Sequence, residues 1–178
     1  MLLLTINFSF SKDKFVELSG GMFFPSDVNF KNSYTDIVFI PSLFMGMTIK
    51  NDFYGWIGYQ LFSCKGKTVL LETELKYVQY NSGIGIGYKK ELNEKFLLNV
   101  YSGIYYIAYK EEEKNVENPL TVRGNTLGVI IGSFVNYKIK KSLYLSAGVG
   151  YLIANDNIDE EDVSFGGLQI KSGLSLRF

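Results

Sequence analysis

The sequence predicts an all-β fold, an eight-stranded antiparallel up-and-down transmembrane β-barrel. Three observations predict it. Apolar and polar residues alternate with a period of two in eight segments, the pattern of strands with one apolar and one polar face. No run of about 18 apolar residues exists, so a membrane helix is excluded and any crossing must be made by a closed barrel. The 178 residues hold 13 Tyr, 14 Phe and 18 Gly but only three Pro, a composition suited to strands with aromatic girdles at two membrane interfaces.

The length suits one domain, expected over residues 12–178. Before it, residues 1–11 (MLLLTINFSFS) read as a truncated signal peptide, with an apolar stretch and a small-x-small site at Ser9-Phe10-Ser11. The first strand is expected over Phe15 to Phe24, with Val16, Leu18 and Met22 outward and Glu17, Ser19 and Gly21 inward. A polar loop follows to about Asp36. The second strand, Ile37 to Ile49, contains Pro41, which cannot donate to a ladder and calls for a bulge or an unpaired rim. Lys50-Asn51-Asp52 is a tight turn. The third strand runs Phe53 to Ser63, and Cys64 then falls in a short loop as an exposed, incidental thiol.

The fourth segment, Val69 to Tyr88, is long. Its apolar set starts odd (Leu75, Tyr77) and ends even (Ile84, Ile86, Tyr88). Period two cannot change parity without an inserted residue, so a β-bulge is expected near Asn81-Ser82. Reading Asn81-Ser82-Gly83 as a turn would give an odd strand number, which single-chain bacterial barrels avoid. The last strands are expected over Lys95 to Tyr109, Thr126 to Ile139, Leu143 to Ala154 and Ser164 to Phe178. Short connections alternate with longer ones at 25–36, 110–125 and 155–163, the asymmetry of barrels whose short side is periplasmic.

In the closing strand, Leu168, Ile170, Leu174, Leu176 and Phe178 alternate with Gln169, Lys171, Gly173, Ser175 and Arg177. This ending resembles the C-terminal β-signal of bacterial outer-membrane barrels, carried by Gly173, Leu174, Leu176 and the terminal Phe178. Pattern, ending and length together resemble the small eight-stranded OmpA/OmpX-like barrel family. The resemblance implies the outer membrane of a Gram-negative bacterium. It implies contact with outer-membrane lipid, lipopolysaccharide and the barrel assembly machinery, and a monomer. It further implies a role in envelope structure, adhesion or surface binding.

By parity, Glu17, Glu72, Glu74, Lys76, Lys171 and Arg177 are expected in the lumen. An eight-stranded barrel is filled by its own side chains, so these charges are expected to pair in a plugging network. A narrow ion path is the alternative. The loop carboxylates Asp156, Asp159, Glu161 and Asp162 offer oxygen ligands for a loose cation site, although the stretch lacks the glycine of a calcium loop. Gly83-Ile84-Gly85-Ile86-Gly87 resembles a phosphate loop only in composition: no helix follows, and inward glycines leave room for opposing rings such as Tyr101 or Tyr144.

Eighteen basic and 18 acidic residues leave no basic field for nucleic acid. The chain has no His, which excludes Ser-His and Asp-His catalysis. The expectation is a protein without catalytic activity or cofactor. A soluble lipocalin-like carrier, with the faces inverted, is a further alternative.

Overall fold

A computed structural model of the chain describes residues 13–68, 73–114, 119–158 and 161–178. The expected signal segment, residues 1–11, lies outside them. The described chain forms β1 (Lys14–Pro25), α1 (Val28–Ser33), β2 (Val38–Lys50), β3 (Phe53–Lys67), β4 (Glu74–Glu91), β5 (Phe96–Glu113), β6 (Thr121–Lys138), β7 (Leu143–Ile158), β8 (Glu161–Ser164) and β9 (Gly167–Arg177). Consecutive strands from β1 to β7 pair antiparallel, β9 pairs with both β7 and β1, and the ring closes. The result is an eight-stranded closed barrel. The short β8 adds only a hairpin to the end of β7. Closure leaves no sheet edge, so the backbone of each barrel strand finds a partner on both sides.

Phe178 seals the seam by exchanging backbone hydrogen bonds with Lys14, at 2.8 and 2.9 Å. Pro41 pairs with Gly20 of β1, while the β2–β3 ladder begins only at Ser42. The prolyl nitrogen therefore sits at the unpaired rim that its missing N–H requires. In the two-residue turn after β2, Asn51 adopts φ 51°, a left-handed conformation that Asn tolerates.

Outward side chains form an apolar band. Leu18 and Ile84 are 67% and 66% exposed, and each neighbouring strand adds similar residues. Aromatic pairs border the band: Phe53–Tyr88 and Phe96–Tyr137 at the short-turn end, Tyr59–Tyr80 at the other. On β5, the outward aromatics Phe96 and Tyr106 are ten residues apart. At about 3.3 Å per residue and a tilt near 40°, that spans about 25 Å, the height of a lipid-facing barrel band.

Inside the band the lumen is filled with rings. Phe44 stacks on Trp56 at 4.6 Å, and Tyr101 stacks on Phe134 at 5.3 Å. Glycines make this possible. Gly85 lies directly opposite Gly103, and the Trp56 indole covers both, donating Nε1–H to the Ile86 and Ser102 carbonyls at 3.2 Å. A Cβ on Gly85 would meet that ring at 2.6 Å. Gly87 likewise faces Tyr54, and Gly132 and Gly150 face the Tyr101 hydroxyl. The glycine run of β4 is thus a seat for aromatic side chains.

The expected bulge in β4 is absent. Its ladders with β3 and β5 run in unbroken register from Glu74 and Leu75 to Tyr88 and Glu91, and odd residues point inward throughout. Leu75 and Tyr77 are buried inside, so Glu74 and Lys76 face outward rather than into the lumen. Above the band polar residues take the outer wall and apolar ones turn in. The polarity inverts while the parity does not. The segments expected as loops at 110–125 and 155–163 are largely strand, because β5, β6 and β7 continue beyond the band. Cys64, expected in a loop, lies within β3 and is partly buried.

Candidate functional site

The connection that carries α1 and the one that carries β8 meet at one mouth of the barrel. Asp27 caps α1, its Oδ1 accepting from Phe30 N–H at 2.8 Å, and its Oδ2 accepts from Ser164 N–H at 3.1 Å. One side chain thus ends β1, starts the helix and ties it to β8. The far end of α1 rests on Gly66 of β3, where a Cβ would lie 2.1 Å from the Ser33 carbonyl oxygen. This close approach needs glycine.

So seated, α1 aims Phe30 and Tyr34 over the mouth. Phe30 stacks on Tyr34 at 4.7 Å and meets Tyr77 edge-on at 5.2 Å. Phe62 stacks on Tyr77 at 5.8 Å, and Phe23 packs on Phe62 at 5.3 Å. On the opposite wall Tyr109 stacks on Phe165 at 4.4 Å, its ring set in a notch left by Gly124. Between the walls lies a cavity of about 260 Å³. Its lining carries Glu111 and Asp27 but no Lys or Arg. Register places Cys64, Tyr77, Glu111 and Val122 side by side across four strands, all at the lumen edge. Burial first, and then the nearby Glu111 carboxylate, push the Tyr34 phenol well above its ordinary range. The same two causes push the Cys64 thiol, beyond the outer girdle, up to about 12. It therefore stays a protonated, inert thiol.

A ladder of amides floors the cavity. Tyr77 OH donates to Gln79 Oε1, Gln79 Nε2 to Asn81 Oδ1 and Gln60 Nε2 to Gln169 Oε1, at 2.8 to 3.0 Å. These buried groups satisfy one another, as a polar layer in a low-dielectric interior requires.

Of the six charges expected in the lumen, Glu17, Lys171 and Arg177 are buried inside, Glu17 and Arg177 near the short-turn end and Lys171 midway along β9. Register sets Glu17 opposite Ser175, diagonal to Arg177. Among the described residues these three make no direct ion pair. Lys171 lies over the Phe134 ring at 5.4 Å, and Arg177 over Phe15 and Tyr144 at 5.1 and 5.3 Å. Rings thus share the task expected of carboxylates. Glu74 and Lys76 are outward, and Glu72 lies outside the described residues.

The two described loop carboxylates, Asp156 and Asp162, do not converge. Asp156 pairs with Val163 and Asp162 with Asn157, so Asp156 and Asp162 point to opposite faces of the hairpin. Asp159 lies outside the described residues, and nothing is described of the Glu161 side chain. Among the described residues no group of three potential ligands could hold a metal ion. At the closing strand, Leu174, Leu176 and Phe178 are outward and exposed. Gly173 faces in against Ser19.

Sequence reasoning misses the mouth cavity. Local apolar periodicity sets Tyr77 outward with Leu75, and polar composition puts Glu111 in a loop. The available signal is the continued alternation of Tyr105, Ile107, Tyr109 and Glu111, which keeps Glu111 on the lumen side if β5 is extended by one turn of the pleat.

No family model matches the chain, and no curated protein matches it in sequence. Solved structures share its fold. It is similar to neisserial surface protein A, with 13% identity and a TM-score of 0.65 over 94% of this chain and 98% of that one. For the outer membrane protein OprG of Pseudomonas aeruginosa the values are 12%, 0.67, 95% and 97%. For Ail, the attachment invasion locus protein of Yersinia pestis, in complex with the heparin analogue sucrose octasulfate, they are 10%, 0.59, 92% and 98%. At such identity the likeness is one of architecture: the chain has the closed, antiparallel eight-stranded barrel fold of small outer-membrane barrel proteins.

Proposed function

We propose that the chain is an integral outer-membrane protein of a Gram-negative bacterium that binds a surface ligand at its outer mouth and has no catalytic activity. One observation carries this reading: an apolar band between two aromatic girdles encloses a filled lumen, while strand ends, α1 and the β8 connection build a cavity at one end. Such an apolar circumference is too large for a soluble monomer and suits lipid. It also argues against a soluble carrier, which would hold its apolar face inside.

The short turns then face the periplasm and the cavity faces outward. Just above the outer girdle, Lys65 lies directly opposite Lys76 and Lys110 opposite Arg123, on the outer wall. Like charges directly opposite destabilise a sheet; Glu112, opposite Lys76 and bonded to Lys110, offsets part of this cluster, and lipopolysaccharide phosphates would offset the rest. Gly173 to Phe178 would serve as the signal read by the assembly machinery, with the chain inserted as a monomer. The rings and amides that fill the lumen favour anchoring over conduction. Ail holds a polysulfated sugar; the acidic mouth cavity of this chain has the opposite sign.

Membrane fractionation, followed by gel migration of unheated and boiled detergent samples, tests the reading. Recovery in the outer membrane with a mobility shift on boiling is expected. A water-soluble protein with no shift would overturn it. Planar-bilayer recordings should show no steady conductance.

A further inference from the structure

We propose that the mouth cavity is a binding site for an organic cation, a quaternary or tertiary ammonium head on a small apolar body. The inference rests on the proposed outward orientation of this mouth and names the class of ligand it takes. The cavity is walled by rings from both sides: Phe30, Tyr34 and Tyr77 on one, Tyr109 and Phe165 on the other. Ring faces attract a cation through their quadrupoles, and methylated ammonium groups, weakly hydrated, lose little on entering such a box.

A carboxylate completes it. Glu111 is half-buried, at the lumen edge, directly opposite Tyr77. Among the described residues its carboxylate makes no ion pair. The two nearest lysines on its own strand and loop, Lys110 and Lys114, bond Glu112 instead, on the outer wall. Asp27, the other acid, is occupied by the Phe30 and Ser164 amides and serves as structure. The Tyr34 hydroxyl lies close enough to hydrogen-bond Glu111, but among the described residues no Lys or Arg lines the cavity, so no cation of the lining competes for the carboxylate. An anion or an uncharged sugar would meet a carboxylate and ring faces. A cation meets complementary charge in a partly enclosed site, where that charge counts for more than in bulk water. The volume, about 260 Å³, admits a head the size of choline.

The test uses the full chain folded in maltoside micelles, free of choline-headed detergent. Titration calorimetry compares choline with 3,3-dimethyl-1-butanol, its uncharged carbon isostere. Choline should bind about tenfold or more tightly than the isostere, the ratio expected when ring faces and one carboxylate act together. Glu111→Gln should abolish that preference. Glu112→Gln, one residue along but on the outer wall, should leave it unchanged. Phe165→Leu should weaken choline several-fold while the boiling shift persists. Equal binding of choline and its isostere, no binding of either to a protein that shows the shift, or identical behaviour of Glu111→Gln and Glu112→Gln would each overturn the proposal. Membrane fractionation is read separately. A barrel that fractionates with the outer membrane but ignores choline sinks only this inference, and a soluble chain sinks the reading beneath it.

Discussion

Below the Tyr59–Tyr80 pair the barrel wall is apolar outside; above it the same strands are charged outside, while rings pack inside at both levels. On β4 the outward residues change from Ile86, Ile84 and Tyr80 to Lys76 and Glu74, while the inward ones change from Gly87, Gly85 and Gly83 to Tyr77 and Leu75. The backbone does not notice: register and parity continue without a break. On the proposed membrane placement, what changes is the medium outside. Facing lipid, a wall needs apolar cover and can keep glycines and amides within. Facing water, it needs charge, and the apolar residues must find one another across the mouth. The mouth cavity is the product of that inversion.

The comparison can be broken most severely in the band. Ile84→Lys places a charge near its middle and should cost about 2–4 kcal/mol of folding free energy in lipid. The reverse exchange above the girdle, Lys76→Leu, should leave stability almost unchanged. Urea titration of the folded fraction in vesicles compares the two. Next in size is the seat of the Trp56 ring. Gly85→Leu forces side-chain atoms against the indole and the Ser102 carbonyl, and should cost about 1–3 kcal/mol by overpacking. A third change sharpens the contrast between barrel and mouth. Gly66→Val should lift α1 from its seat without touching the band, so limited proteolysis within residues 26–36 should quicken while the boiling shift is retained. Smallest is Lys114→Ala. It removes one of two lysines from Glu112 on a solvated wall and should leave urea unfolding unchanged, since exposed pairs contribute little and Lys110 remains.

The fold was legible in the sequence because a wall between lipid and a packed lumen imposes one unambiguous sign on each parity. The closing strand shows it best: Leu168 to Phe178 point out and Gln169 to Arg177 point in, as the alternation alone requires. Legibility failed where the medium changed. Leu75 and Tyr77 are apolar because they line the mouth, and reading them as lipid-facing forced a bulge that β4 lacks. Glu111 and the strand ends around it read as loop because polar composition there reports water outside the wall, not loss of pairing. The lumen charges were placed by parity at Glu17, Lys171 and Arg177. That rings would lie beneath the two cations depends on which residues meet across the barrel, and no local pattern encodes it.

The central claim is that β4 keeps one parity while its outer face passes from lipid to water. Single cysteines at consecutive positions from 74 to 88, in a Cys64→Ser background and carrying a fluorophore, test it with one lipid-soluble and one aqueous quencher. Even positions from 80 to 88 should respond to the lipid quencher, 74 and 76 to the aqueous one, and odd positions to neither. A lipid-quenched set that is odd below residue 80 and even above it, with the switch at Asn81-Ser82, would contradict the account.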